Sequence, residues 1–242
     1  MNAAAPPGIS VETREYQAWS STPAGIVEPP SYPAAAHTIS WTLINLAERV
    51  LAFILLIACL PILAIAAAIV AILSGQSPLV ALARAGYRGK PIWLIKLRTM
   101  WGKPEVAHAR RGLVERIEVS FVPPVKRSGD PRVTSSFAAF CRRHSIDELP
   151  QLWQVVSGDM ALVGPRPITY AELDAYYRDS AAEVLSVKPG LTGLWQVSGR
   201  NSLDYAERRT LDLHLVRDRS PQLYLHVLAA TFPAVFSGRN AG

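Results

Sequence analysis

The sequence predicts a mainly α protein with a small β component: a membrane-embedded apolar helix followed by an α/β-type body with interfacial amphipathic helices. Three observations lead there. An uncharged run extends from Val50 to Leu73. Helix-like periodicity recurs in four later segments, while one short apolar string, Pro91–Leu97, reads as strand or extended. Half of the 242 residues are apolar and only 18% are charged, against about a quarter in soluble domains. That composition supplies ample core and excludes a wholly disordered chain.

Taken in order, residues 1–40 are rich in Ala, Pro and Ser, and Pro6, Pro7, Pro23, Pro29, Pro30 and Pro33 interrupt any regular element. A disordered tail is expected. No basic stretch leading into an apolar run begins near Met1, so no signal peptide is expected. Residues 41–74 are the membrane-embedded segment. As a straight helix the uncharged run would reach about 36 Å at 1.5 Å per residue, enough for a hydrocarbon core of about 30 Å. Pro61 divides it into halves too short to span alone, and it opposes the carbonyl of Ile57, so a bend is expected there. Two readings follow: a kinked transmembrane helix, which hydropathy favours, or a re-entrant helix–break–helix. Arg84, Arg88 and Lys90, just beyond, place the body in the cytoplasm by the positive-inside rule.

Residues 75–242 form the body. Ser135–His144, Leu149–Val156, Tyr170–Asp179 and Leu203–Arg217 have helical periodicity. Leu223–Phe236 is too short to span, so it is a core helix or an interfacial one, with the core reading preferred.

Charge and motifs narrow the function. The net charge is +6, and 20 of the 25 cations are Arg, which favours bidentate recognition of phosphate. Two cysteines exclude a disulfide scaffold or a Cys-rich zinc module. The five histidines have no metal-ligand spacing, and no Gly-x-Ser-x-Gly elbow, P-loop or GxGxxG exists. Nucleic acid is not an expected partner, because aromatic interleaving and recognition-helix patterns are missing.

Four strings remain. Arg142-Arg143-His144-Ser145-Ile146-Asp147-Glu148-Leu149-Pro150 sets two adjacent carboxylates behind two guanidinium groups. Its bland reading is a helix cap, at Ser145 or, to accommodate Pro150, at Asp147. Gly164-Pro165-Arg166-Pro167 is a stiff turn fixing one guanidinium. Lys188 to Asn201 contains Gly190, Thr192, Gly193 and Arg200, a loop whose backbone N–H groups could cradle an anion. Lys96 and Arg98 share one side of an extended segment.

In combination these strings are far more specific. An apolar hairpin, Arg-Ala-Gly-Tyr-Arg-Gly-Lys, Lys-Leu-Arg-Thr-Met, Asp-Pro-Arg-Val-Thr, Ser-Ile-Asp-Glu-Leu-Pro-Gln-Leu-Trp, Gly-Asp-Met-Ala-Leu-Val-Gly-Pro-Arg-Pro and Lys-Pro-Gly-Leu-Thr-Gly-Leu-Trp-Gln-Val-Ser-Gly-Arg follow in that order. Over about residues 41–240 the chain resembles the bacterial sugar transferase family, the monotopic phosphoglycosyl transferases, in its short exopolysaccharide-initiating form. The resemblance implies transfer of a sugar phosphate, from a nucleotide sugar such as a UDP-hexose, to undecaprenyl phosphate. It implies Asp147 as nucleophile, Glu148 as its dyad partner and Mg²⁺ at both. Arg166 matches a phosphate-binding arginine, and Lys96, Arg98, Arg142 and Arg143 are grouped with it as substrate-phosphate candidates. Pro61 matches a helix-breaking proline, which turns the topology towards the re-entrant hairpin. The implied setting is the cytoplasmic face of a bacterial inner membrane. Leu97, His144, Ile146, Ala161 and Leu60 depart from the family's commoner residues. The sequence leaves oligomeric state open, a homodimer included. The rival reading is a non-catalytic, membrane-anchored protein that binds anionic lipid or nucleic acid. A missing dyad acid would favour it, and both acids are present.

Overall fold

The computed structural model describes residues 39–101, 112–117, 133, 135–199 and 202–237. Arg200 lies outside the described residues, as does nearly all of the expected 1–40 tail.

Helix α1 (Ile39–Ser74) is 36 residues long and continues through Pro61. The helix–break–helix expected from the resemblance is therefore not seen. Proline deletes one backbone hydrogen bond, and the ladder resumes on both sides of it. One stripe of α1 faces the body: Trp41, Ile44, Glu48, Ala52 and Leu56 recur at intervals of three and four, the period of a helix with one packed face. Further along, Ala66 and Val70 are buried as well. Leu43, Leu46, Val50, Phe53, Ile54, Ile57, Leu60 and Ile65 are exposed. Such a surface is satisfied by lipid rather than water.

A three-stranded sheet follows, with β1 (Leu79–Ala85) between β2 (Pro91–Leu97) and β3 (Val114–Ile117). β1 is antiparallel to β2 and parallel to β3. The tight β1–β2 connection needs Gly86, where a Cβ would meet the Lys90 carbonyl and the Ile92 side chain. β2 coincides with the string read as extended from sequence.

The rest is chiefly helical. α2 (Ser136–Arg143) starts at Ser135, whose hydroxyl accepts from the Ala138 N–H at 3.0 Å. A 3₁₀ turn, Ile146–Gln151, leads directly into α3 (Leu152–Ser157). β4 (Ala161–Val163) pairs in parallel with β5 (Gly190–Thr192). Between them, the helix expected over Tyr170–Asp179 breaks into α4 (Tyr170–Glu172), a π turn (Leu173–Tyr177) and a 3₁₀ turn (Arg178–Ser180). α5 (Ala181–Val184) comes next. α6 (Leu194–Ser198), α7 (Tyr205–Arg217) and α8 (Pro221–Ser237) complete the described chain. α7 begins with an Asp204–Glu207 capping box.

The main core joins Ala52 of α1 to Leu152 and Val155 of α3, Leu162 and Val163 of β4, and Val227 of α8. A second core gathers Ala66, Val70, Leu97, Ala138 and Cys141. α8 has both characters weighed from sequence, since Val227 is fully buried while Leu225 and Phe232 face outward.

Candidate active site

The two carboxylates sit in the first turn of the 3₁₀ element, whose N-cap position is Ser145, as one cap reading had it; the Asp147 cap is not seen. Ser145 adopts a left-handed backbone (φ 55°) and makes no capping side-chain bond, while Asp147 is the second residue of the turn. The left-handed residue turns the chain sharply after α2 and lays the Ile146–Gln151 turn against β2. A non-glycine residue in that region is held by its surroundings and often marks a functional site. Gln154 of α3 locks the arrangement. Its amide accepts from the Ile95 N–H at 3.1 Å and donates to the Trp93 carbonyl at 2.9 Å, pinning α3 to the middle of β2. Lys96, one residue along β2, is thereby brought to Glu148.

Glu148 Oε1 accepts from Lys96 Nζ at 2.7 Å and from an Arg166 terminal nitrogen at 3.3 Å. Burial pushes the Glu148 carboxyl up, but Lys96 and Arg166 outweigh it and hold the group well below the ordinary carboxylate range. Asp147, only 8% exposed, receives no hydrogen bond or ion pair from a described residue. Burial, and then the neighbouring Glu148 charge, push its carboxyl up, opposed by Lys96, Arg142 and Arg166. Adjacent acids are thus pushed in opposite directions: Glu148 down and committed to two cations, Asp147 up and uncommitted among the described residues.

Arg166 is fixed from several directions. Pro165 and Pro167 restrict the backbone around it. Its charge acts on the nearby Asp212, whose Oδ2 accepts from the Tyr177 hydroxyl at 2.7 Å. Asp212 is 1% exposed, and burial raises its carboxyl to about 7 against the Tyr177 hydrogen bond and the Arg166 charge. The Arg166 guanidinium lies 5.7 Å over the Trp195 ring, which also takes Arg208 at 4.8 Å.

The other expected phosphate ligands separate. Arg142 acts electrostatically on Asp147. Arg143 is exposed in the last turn of α2. Arg98 is engaged elsewhere: its Nε donates to the Ser77 carbonyl at 2.7 Å and a terminal nitrogen pairs with Glu115 at 2.6 Å. β2 ends at Leu97, so the strand alternation that put Lys96 and Arg98 on one side no longer governs Arg98. The glycine loop is a buttress rather than an open cradle. The Gly190 N–H is given to the Pro165 carbonyl at 2.8 Å, and the Thr192 carbonyl accepts from the Gly164 N–H at 2.9 Å. A Cβ on Gly190 or Gly193 would collide with the Gly164 backbone. Thr192 Oγ1 bonds Thr231 Oγ1 at 2.9 Å. Gly190, Thr192 and Gly193 therefore hold the Arg166 turn in place.

Asp212, Tyr177 and Trp195 were missed from sequence. They enter from α7, the π turn and α6, and no local pattern links them to Arg166. Cys141, fully buried, is no rival nucleophile, because burial and the Asp147 charge push its thiol up to about 11.

A buried acid pair, an arginine clamp and a lipid-type helix define a membrane-associated group transferase, and the comparisons agree. The chain belongs to the bacterial sugar transferase family, whose model matches residues 39–238. It is 37% identical over 201 residues to the exopolysaccharide production protein ExoY of Sinorhizobium fredii, covering 80% of this chain and 85% of that one. It is 35% identical over 192 residues to the UDP-glucose:undecaprenyl-phosphate glucose-1-phosphate transferase of Caulobacter vibrioides, covering 75% of this chain and 65% of the relative. A 93-residue stretch is 52% identical to the undecaprenyl-phosphate galactose phosphotransferase of Salmonella typhimurium, a match covering 38% of this chain and 19% of that protein.

Proposed function

We propose that this enzyme transfers a sugar 1-phosphate from a nucleotide diphosphate sugar, a UDP-hexose in the first instance, to undecaprenyl phosphate through a phosphosugar–Asp147 intermediate. The observation that carries this is the asymmetry of the dyad: Glu148 is held by Lys96 and Arg166 while Asp147 stays uncommitted among the described residues. The Asp147 carboxylate attacks the sugar-bearing phosphorus, forming a P–O bond to aspartate as the bond to the nucleoside monophosphate breaks. The lipid phosphate then attacks the same phosphorus, giving a lipid diphosphate sugar and releasing the carboxylate. Lys96 and Arg166 supply positive charge where the anionic substrate and the developing charge must sit.

Mg²⁺ fits the donor set. Asp147 and the second oxygen of Glu148 offer hard carboxylate ligands, and magnesium characteristically binds one or two carboxylates plus substrate phosphates. When bound, it would offset diphosphate charge as a Lewis acid. For topology, we propose that α1 stays on one face of the membrane as a continuous helix and does not cross it. Its early residues, Trp41 to Leu56, and its late ones, Ala66 and Val70, pack on the same body. A straight crossing would carry one end about 30 Å away from that body. The body then lies on the cytoplasmic face, as the cations after α1 favour.

The test is a single turnover without lipid. Purified enzyme given the nucleotide sugar and Mg²⁺ should release one nucleoside monophosphate per active site. Intact mass should rise by one hexose phosphate, mapped to Asp147. Asp147→Asn should abolish both while the protein stays folded. An adduct on another residue, or an active Asn variant, removes the covalent reading.

A further inference from the structure

Arg84 opens a sequence string, Arg84 to Lys90, that the acid pair and its clamp leave unused. In the β1–β2 register, Val80 faces Lys96, Leu82 faces Leu94 and Arg84 faces Ile92. Opposed residues project to one side of a sheet, as do alternate residues of a strand. Arg84 and Lys96 therefore share the face on which Lys96 reaches Glu148. They stand four positions apart along it, about 13 Å by the rise of a strand. The far end of β1 is stitched to the chain just after the Arg166 turn. There the Ala85 N–H donates to the Ile168 carbonyl at 2.9 Å in an antiparallel bridge.

Arg84 is half-buried, and its Nη1 donates to the carbonyl of its own neighbour Ala83 at 2.7 Å. Its other donors make no hydrogen bond or ion pair with a described residue. Glu172 attracts it without pairing, and the Glu172 Oε2 is taken by the Thr169 N–H at 2.8 Å and the Thr169 hydroxyl at 3.0 Å. Burial lowers the Arg84 guanidinium to about 10, Glu172 raises it and the Arg166 charge lowers it again, so it is cationic at neutral pH. The fold thus holds two guanidinium groups in each other's field and leaves most of the Arg84 fork for an anion that bridges them. Arg166, with a side chain 35% exposed, keeps that position open to a ligand.

The cations that act on Asp147 and Glu148 are Lys96, Arg142 and Arg166, whereas Arg84 stands in the field of Arg166. Arg84 is therefore one step removed from the acids. In a nucleotide diphosphate sugar, the phosphorus attacked and the phosphorus that leaves are one bridging oxygen apart. With the first between Asp147 and Arg166, the second falls on the Arg84 side. We propose that Arg84 is a substrate-binding residue that, with Arg166, grips the phosphate leaving as nucleoside monophosphate. The electron pair of the broken P–O bond goes to that phosphate, and a guanidinium there offsets the growing charge. This rests on the donor chemistry proposed for Asp147 and adds to it the residue that holds the leaving group.

The full-length protein in nanodiscs, with Mg²⁺ present, would be titrated calorimetrically with UMP and with UDP. Retention of undecaprenyl phosphate doped into the same nanodiscs would be counted by native mass spectrometry. Arg84→Gln should weaken both nucleotides by about tenfold or more, the loss of one charge-assisted contact, and leave lipid retention unchanged. Arg84→Lys keeps the stem and the charge without the fork, so it should fold and lose about threefold or more. It decides the matter if the Gln variant does not fold. Wild-type nucleotide binding that neither folded variant weakens overturns the assignment of Arg84 alone. So does a matching loss of undecaprenyl phosphate, which marks a general or structural effect. Loss of the lipid alone also overturns it and gives Arg84 to the acceptor. A wild-type protein that binds neither UMP nor UDP defeats the donor reading itself, and this assignment with it.

Discussion

Replacing Lys96 with Gln tests the electrostatic design of the dyad. Lys96 Nζ is 2.7 Å from Glu148 Oε1, and the two side chains are 15% and 21% exposed. Bare Coulomb attraction at that distance is about 6 kcal/mol for an effective dielectric of 20. Desolvation offsets much of it, and Arg166 remains as a second partner at 3.3 Å. A net loss of about 2–3 kcal/mol is therefore expected, the range of a hydrogen bond between charged groups. At about 1.4 kcal/mol per unit, this returns Glu148 by roughly two units, to the ordinary glutamate range. Glu148 is lowered in the folded state, so its stabilisation is present at neutral pH and is lost as pH falls below about 4.3 towards the folded value. Lys96→Gln should thus lower the melting temperature by about 5–10 °C at pH 7 and by clearly less at pH 3.5. Activity should respond separately. On the proposed mechanism the lipid-free burst needs Asp147 ionised, so it should fall as pH drops through the raised Asp147 pKa. Without Lys96, which opposes that rise, the acid limb should move to higher pH. Lys96→Arg should restore both readings. An unchanged melt together with an unmoved acid limb would refute the Lys96–Glu148 pairing as the basis of the asymmetry.

Three further outcomes follow from the same geometry. Arg166→Lys keeps the charge but loses the planar fork, so kcat/KM should fall roughly 10- to 100-fold while membrane recovery stays normal; near-normal activity would make the turn purely structural. Gly190→Ala puts a Cβ into the Gly164 backbone and should cost about 3 kcal/mol, an overpacking penalty visible in the melt, with activity falling in step as the Arg166 turn shifts. For topology, a Ser10→Cys variant lacking Cys59 and Cys141 should be labelled only after the inner membrane is permeabilised, and labelling from the periplasm would defeat the one-face arrangement.

Features encoded locally were legible in the sequence, and features fixed by distant partners were not. The uncharged run gave α1, the helical periodicity of Leu203–Arg217 gave α7, and Pro91–Leu97 read as strand or extended. β1 did not, because Leu-Val-Ala-Leu-Ala-Arg-Ala has weak β preference and is fixed by pairing on both sides. β4 and β5 are three residues each, and their pairing spans Ala161 to Gly190. Alternation placed Lys96 and Arg98 together, yet Glu115 captures Arg98 just after the strand ends. Three glycines suggested an anion loop, but two of them exist for close approach to Gly164.

The dyad shows the same division at the level of chemistry. Two neighbouring acids are visible in the sequence, but nothing in Asp-Glu says which one is free to react. That follows from Gln154 fixing α3 on β2, which delivers Lys96 to Glu148, and from the glycines at β5, which hold the Arg166 turn beside it. Environments that push two carboxyl groups apart assign them different tasks. Glu148 keeps the two cations in place and takes most of their attraction, so Asp147 is not locked into an ion pair that the proposed attack on phosphorus would have to break. The same cations remain close enough to favour an incoming anion. A pair with both acids clamped would bind phosphate poorly, and a pair with neither clamped would repel it. The division of labour between neighbouring residues answers both demands.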